Sequence, residues 1–201
     1  GDTLKEVLGI FNRCAAEVCE GQQWDMEFET KQKVTEVQYI EMIRLKTAVL
    51  LGFSLELGAL MAGAEEKQRA ALKDFGTNIG IGFQLKDDLL DVYADKKKFG
   101  KQVGGDIIAN KKTFLLITAM EKARGKDKIE LHQWLNAKKF NKQKKVKAVT
   151  ALYDKLGIPA LAESKIQYFF NQGCNKLENV SDSSAKSQLI EFTRDLINRQ
   201  M

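Results

Sequence analysis

Three aspartates within five positions, Asp87, Asp88 and Asp91, stand among apolar residues that recur at helical spacing. Few arrangements constrain a chain more. Like charges repel, and a half-buried helix face desolvates each carboxylate, so crowding three together is costly. A hard divalent cation relieves both costs, because Mg²⁺ takes oxygen ligands and tolerates dense negative charge. Lys101, Asp106, Lys111 and Lys112 follow shortly downstream. A candidate cation site therefore lies beside a candidate anion grip, the pairing that a metal-bound phosphate or diphosphate requires. A solvated acidic helix end is the usual meaning of an isolated Asp-Asp pair. Gln84 one turn earlier and the Lys/Asp set downstream argue against it here.

On a helix, Gly76, Gly80, Gln84, Asp87 or Asp88, and Asp91 fall three or four apart and form one stripe. Asp87 and Asp91 are then separated by roughly 40° around the axis. Phe75, Ile79, Phe83, Leu89, Leu90 and Val92 supply apolar area on both flanks. Two helical glycines each cost about 1 kcal/mol relative to alanine. They remove bulk along the line that leads to the carboxylates. The stripe is expected to form a cavity wall with ligating groups at one end.

One proline and abundant Leu, Ala, Lys and Glu favour helix nearly throughout. The periodicity predicts helices over 3–19, 36–61, 66–93, 113–123, 129–136, 144–156, 160–177 and 186–200, with 94–105 as a loop. The run 36–61 reads as one helix or as two meeting near Lys46-Thr47. Pro159 after Gly157 is placed to start a helix, and residues 181–184 offer an N-cap for the last one. No strand-like alternation persists, so the expectation is an all-α antiparallel bundle in one unit, 1–201. A chain of 201 residues can bury roughly 70% of its unfolded surface.

The net charge of +5 invites a nucleic-acid reading, but its distribution does not support one. Residues 122–147 carry ten basic groups and two acids, so this segment holds +8 and the remainder −3. Few aromatics interleave with the lysines for base stacking. A solvated lysine face, including Lys138, Lys139, Lys144 and Lys145, is the better reading, with no nucleic-acid partner. His132 has no partner at ligand spacing and reads as a surface residue. Cys14, Cys19 and Cys174 are sparse, odd in number and lack CxxC spacing, which suits reduced thiols in a cytoplasmic protein. No apolar run reaches the roughly 18 residues of a membrane span. The segment 48–64 comes nearest but contains Ser54 and Glu56, so it is expected to be a buried core helix.

Taken in order, Gly80-Ile-Gly-Phe-Gln84-Leu-Lys-Asp87-Asp88-Leu-Leu-Asp91, Phe99-Gly-Lys101, Gly105-Asp106 and Lys111-Lys112-Thr113 resemble the second aspartate-rich region of the trans-prenyltransferases. These are the polyprenyl diphosphate synthases, including farnesyl and geranylgeranyl diphosphate synthases. Glu20-Gly-Gln22-Gln-Trp-Asp25 is similar to the family's Gly-Gln-x-x-Asp element, and Tyr39 through Lys46-Thr47-Ala to its Tyr…Lys-Thr segment. Each of these alone is an ordinary helix or loop sequence; their weight is joint order and spacing. The resemblance covers most of residues 1–120. Family members carry a first aspartate-rich motif, Asp-Asp-x-x-Asp followed by paired arginines, upstream of the Gly-Gln element. This sequence contains no second Asp-Asp and no Arg-Arg. The chain is therefore expected to be the C-terminal portion of a synthase, lacking the N-terminal helices of an isoprenoid-synthase bundle. A cloned fragment, a proteolysed product and a natural half-length paralogue all fit.

The resemblance implies a magnesium-dependent prenyltransferase that joins an allylic diphosphate to isopentenyl diphosphate, working as a cytoplasmic homodimer. It implies that Asp87 and Asp91 hold Mg²⁺, with Asp88 and Asp106 as ligands or water-mediated support. Lys46, Lys101 and Lys111 would grip diphosphate oxygens, and Asp25 and Gln22 would lie across the cavity near the metal. Thr47 and Gln84 would stabilise positive charge through neutral oxygens. The 201 residues alone are expected to be inactive, since only one acidic wall is in the sequence. Two other readings share these features: a noncatalytic partner subunit of a heterodimer, and a terpene cyclase. The Lys101…Asp106…Lys111 set and Lys46-Thr47 favour chain elongation over cyclisation.

Overall fold

The helix that bears the aspartates, α4 (Glu66–Tyr93), is the axis of the molecule. Phe75, Ile79, Leu85, Leu89 and Val92 are all buried along it, on more than one side. A helix apolar over so much of its circumference must be covered by several neighbours. The computed structural model describes residues 2–94 and 103–198. It opens with α1 (Asp2–Thr30) and α2 (Glu36–Ile43), which passes through a π-helical segment, Arg44–Ala48, into α3 (Val49–Met61). After α4 come α5 (Gly105–Ala109), α6 (Phe114–Lys122), α7 (Gly125–Asn136) and α8 (Lys142–Lys155). α9 (Ile158–Lys176), a 3₁₀ turn over Leu177–Asn179, and α10 (Ser184–Asn198) complete the chain. The described residues contain no strand, and the fold is all-α as the sequence predicts. The two most extensive packings of α4 are with α3 and α9.

Helix boundaries follow local chemistry. Thr35 and Gln38 form a reciprocal capping box at the start of α2. Asn141 Oδ1 accepts from the Lys144 amide at 3.0 Å to open α8, and Ser183 Oγ accepts from the Lys186 amide at 3.1 Å to open α10. Gly157 (φ 69°) precedes Pro159 in the first turn of α9. The predicted bounds of α4 hold. α1 continues to Thr30, well past residue 19, and α5 starts at the last residue of the stretch expected to be a loop and runs over residues for which the sequence predicts no element. Five residues are too few for a periodic signal to develop.

Gly21 and the glycines of α4 do something other than line a cavity. A Cβ on Gly80 would stand 2.6 Å from Ala48 Cα, and one on Gly76 would stand 2.8 Å from the Leu51 carbonyl oxygen. On α1, a Cβ at Gly21 would fall 2.3 Å from the Lys46 amide nitrogen. Two helices therefore close on the same short segment, Arg44–Ala48, backbone against backbone. The expected cavity wall is, over Gly76 and Gly80, a packed helix contact.

Two further expectations need correction. Nine of the ten basic residues of 122–147 are exposed, but Lys145 is 0% exposed. α3 is buried only on one side, with Val49, Gly52 and Ala59 inside and Leu50 and Met61 more than half exposed. His132 is exposed as expected. Among the described residues no helix is long and apolar enough to cross a membrane. All three cysteines are free thiols.

Candidate active site

The π-helical segment is where the site begins. At its end the Val49 amide donates to the Arg44 carbonyl, five residues back, so the helix carries one extra residue per turn there. Lys46 and Thr47 lie on this bulge. The Lys46 ammonium donates to Asp25 Oδ2 on α1 at 2.5 Å, and the Thr47 hydroxyl donates to Gln84 Oε1 on α4 at 3.2 Å. The Gln84 amide nitrogen in turn donates to Asp88 Oδ1 at 3.0 Å. The other Asp88 oxygen accepts from the Tyr39 hydroxyl. One chain of hydrogen bonds thus runs from the bulge to the aspartate cluster.

Asp88 is the interior member of the cluster, only 4% exposed. Burial pushes its carboxyl up to about 7, although the bonds from Tyr39 and Gln84 pull the other way. Tyr39 is itself buried, and desolvation followed by the Asp88 charge holds its hydroxyl protonated. Asp88 therefore faces protein donors on both oxygens, whereas Asp87 and Asp91 are half-buried.

Asp91 ties the end of α4 to α5. Its Oδ2 accepts from the Asp106 amide at 3.0 Å, and its carbonyl accepts from the Gly104 amide at 2.6 Å. Asp106 lies 3.8 Å from the Lys111 ammonium. Burial raises the Asp106 carboxyl, with Asp91 and Asp25 adding to the rise and Lys111 opposing it. Desolvation lowers Lys111, but Asp106, Asp88, Asp25 and Asp91 together outweigh it and leave the ammonium above its ordinary value. Lys111 thus reports the convergence of four aspartates drawn from α1, α4 and α5.

The neighbouring lysine turns elsewhere: Lys112 donates to the Glu29 carbonyl at 3.0 Å, in the last turn of α1. Gln22 is exposed on α1, one turn before Asp25. Lys101 lies outside the described residues. Tyr39 stood in a recognised segment, yet nothing in its spacing marked it as the donor to Asp88.

Five carboxylates (Asp25, Asp87, Asp88, Asp91, Asp106) share this region with the ammonium groups of Lys46 and Lys111. Ionised, they leave an excess of negative charge carried on hard oxygen donors, which suits Mg²⁺ in kind. Among the described residues, however, no three acidic, histidine or cysteine side chains gather closely enough to hold a metal on their own. The donor set fits as one side of a cation site that a polyanionic ligand would complete.

A family model for polyprenyl synthetase matches residues 2–153. The chain belongs to the polyprenyl synthetase family. It is 33% identical, over 99% of its length, to a short chain isoprenyl diphosphate synthase of Methanothermobacter thermautotrophicus, of which it covers 60%. A geranylgeranyl diphosphate synthase of Methanosarcina mazei is 34% identical over 96% of the chain and is covered over 57% of its own length. Among solved structures, the geranylgeranyl pyrophosphate synthetase of Pyrococcus horikoshii superposes with a TM-score of 0.90 at 32% identity, with all of this chain and 60% of that one covered. The chain thus spans about 60% of the length of these relatives. The resemblance of residues 80–113 to the second aspartate-rich region is that of a family member.

Proposed function

We propose that this chain is the diphosphate-binding, C-terminal portion of a prenyltransferase that condenses an allylic diphosphate with isopentenyl diphosphate in isoprenoid biosynthesis. The observation that carries the proposal is the joining of α1, α4 and α5 through aspartates and lysines: Lys46 donates to Asp25 at 2.5 Å, the Asp106 amide donates to Asp91 at 3.0 Å, and Lys111 lies 3.8 Å from Asp106. The names of the relatives support the same reaction class. Sparse free thiols fit a cytoplasmic protein, and we propose a homodimer as the assembled form.

Prenyl transfer begins when the allylic carbon–oxygen bond breaks and the oxygen takes the bonding pair, leaving a delocalised carbocation. Charge develops on the departing diphosphate, so preorganised positive charge lowers the barrier. Asp87 and Asp91 would hold Mg²⁺, with Asp25 and Asp106 as further oxygen donors, and the bound ion would supply positive charge against the leaving group. Lys46 and Lys111 add ammonium donors to the diphosphate oxygens, and Lys101 is proposed as a third. Asp88 takes a supporting role: it ties α4 to Tyr39 of α2 and holds Gln84, whose oxygen receives the Thr47 hydroxyl of the bulge. Thr47 and Gln84 present neutral oxygens that stabilise the cation without capturing it, where a carboxylate risks alkylation. The isopentenyl double bond then attacks the cation, and the new cation loses a proton to the released diphosphate.

The test uses a complete polypeptide containing these residues, assayed with an allylic diphosphate, labelled isopentenyl diphosphate and Mg²⁺. Transfer is expected, and Asp87→Ala is expected to lower kcat by at least about a thousandfold, roughly 4 kcal/mol of transition-state stabilisation. Full activity in that variant would overturn the assignment. The 201-residue chain by itself is expected to show no transfer.

A further inference from the structure

α5 is only five residues long, yet it carries Asp106 and delivers Lys111. It is bracketed by two residues in the left-handed region, Gly104 (φ 87°) and Asn110 (φ 55°). Such a short helix gains little from its own hydrogen bonds, so its geometry must be imposed from outside. Consecutive residues of α8 do this at both ends. Val146 packs on the first bracket so closely that a Cβ on Gly104 would lie 2.7 Å from its methyl carbons.

At the second bracket stands Lys145, the fully buried lysine. Its ammonium donates to Asn110 Oδ1 at 2.6 Å and to the Ile108 carbonyl at 3.3 Å, and it sits 4.3 Å from the centre of the Phe140 ring. Asn110 in turn donates to the Leu135 carbonyl at 2.9 Å. Burial lowers Lys145 from its ordinary value. A desolvated ammonium is expensive to keep unless its donors are satisfied. Here they are satisfied by the C-terminal end of α5 and by an aromatic face. A non-glycine residue at positive φ is likewise retained only where its surroundings hold it, and the Lys145 bond is aimed at that residue. Lys111 is the next residue in the chain, and its amide donates to the Asp106 carbonyl at 2.9 Å.

We infer that Lys145 is a positioning residue: by pinning the left-handed Asn110 turn from beneath, it sets Lys111 and Asp106 in the arrangement that receives diphosphate. The inference rests on the proposed role of Lys111 but adds a device outside the motifs. It also replaces the reading of Lys145 as part of a solvated lysine face.

The experiment is isothermal titration of the 201-residue chain with Mg²⁺ and inorganic pyrophosphate, using Lys145→Met, Lys111→Ala and the double variant. Lys145→Met should weaken binding about tenfold, and the double variant should lose clearly less than the product of the two single losses, because part of the Lys145 effect is exerted through the Lys111 ammonium. Asn110→Gly keeps the left-handed turn but removes the acceptor, and should reproduce part of the Lys145→Met loss should the latter fold poorly. Wild-type affinity in Lys145→Met, or losses that multiply in the double variant, would overturn the inference. Should the wild-type chain bind no pyrophosphate, the proposed function fails on its own, and amide hydrogen exchange decides the positioning role. The Asp106 and Lys111 amides should then exchange at least about 100-fold faster in Lys145→Met, relative to the buried α9 amide of Ile166. A uniform change across those sites would reduce Lys145 to a generic core residue.

Discussion

Asp88 shows how one residue in a repeated motif can differ in role from its neighbours. Its carboxyl titrates near 7 instead of the ordinary 3.8, so between those values the folded state keeps a proton that the unfolded chain has released. The stability this provides is complete below about pH 4 and is lost as pH rises through about 7, a difference on the order of 4 kcal/mol. The raised Asp106 carboxyl acts with the same sign. Asp88→Asn should flatten the dependence and leave the variant more stable than the parent at pH 8. Urea unfolding at pH 5 and pH 8 in EDTA measures this, and equal slopes for the two proteins would contradict it. The sequence showed that three carboxylates were crowded together, and by resemblance it placed Lys46, Asp25 and Lys111 near them. It could not show which aspartate is interior, because that depends on Tyr39, 49 residues away. Lys145 was hidden for a related reason: nine exposed basic residues around it carry the same local signal.

At the scale of elements, the periodic pattern located the long helices and the break at Gly157 because each buries a regular apolar stripe. It did not separate one helix from two over 36–61. The chain there is continuous but changes to π geometry over Arg44–Ala48, and such a bulge has no apolar period of its own. Nor did the glycine spacing reveal whether small residues line a void or admit a neighbouring backbone. Two alanine substitutions on α1 separate these effects. A Cβ on Gly9 meets nothing within 4 Å, so Gly9→Ala should stabilise by roughly 0.5–1 kcal/mol through helix propensity. Gly21→Ala drives a Cβ into the Lys46 backbone and should destabilise by about 2–4 kcal/mol, the range of overpacking that cannot relax by rotamer change. Chemical unfolding followed by circular dichroism compares them; similar effects of like sign would mean that α1 is not held against the bulge.

For the molecule as a whole, α1 presents Leu4, Leu8 and Phe11, each at least half exposed, and Phe11 stands edge-on to Phe53 of α3. A continuous apolar stripe of that kind is seldom left in water. The 201-residue chain should self-associate in sedimentation velocity at micromolar concentration, and Leu8→Glu with Phe11→Glu should shift it toward monomer. A monodisperse monomer before substitution would contradict the expectation. The same scale decides what the site can do. Asp25, Asp91 and Asp106 come from three separate helices and Lys111 from the turn after the third, so their assembly tests the fold and the function together. The most direct measurement is equilibrium dialysis of the 201-residue chain against a labelled allylic diphosphate, with and without Mg²⁺, in parallel with Asp87→Ala. Retention of the diphosphate is expected only when Mg²⁺ is present, and is expected to disappear in Asp87→Ala while helix content stays at the parent level. Retention that is equal without Mg²⁺, or unchanged in Asp87→Ala, would contradict a cation-bridged diphosphate site on α4.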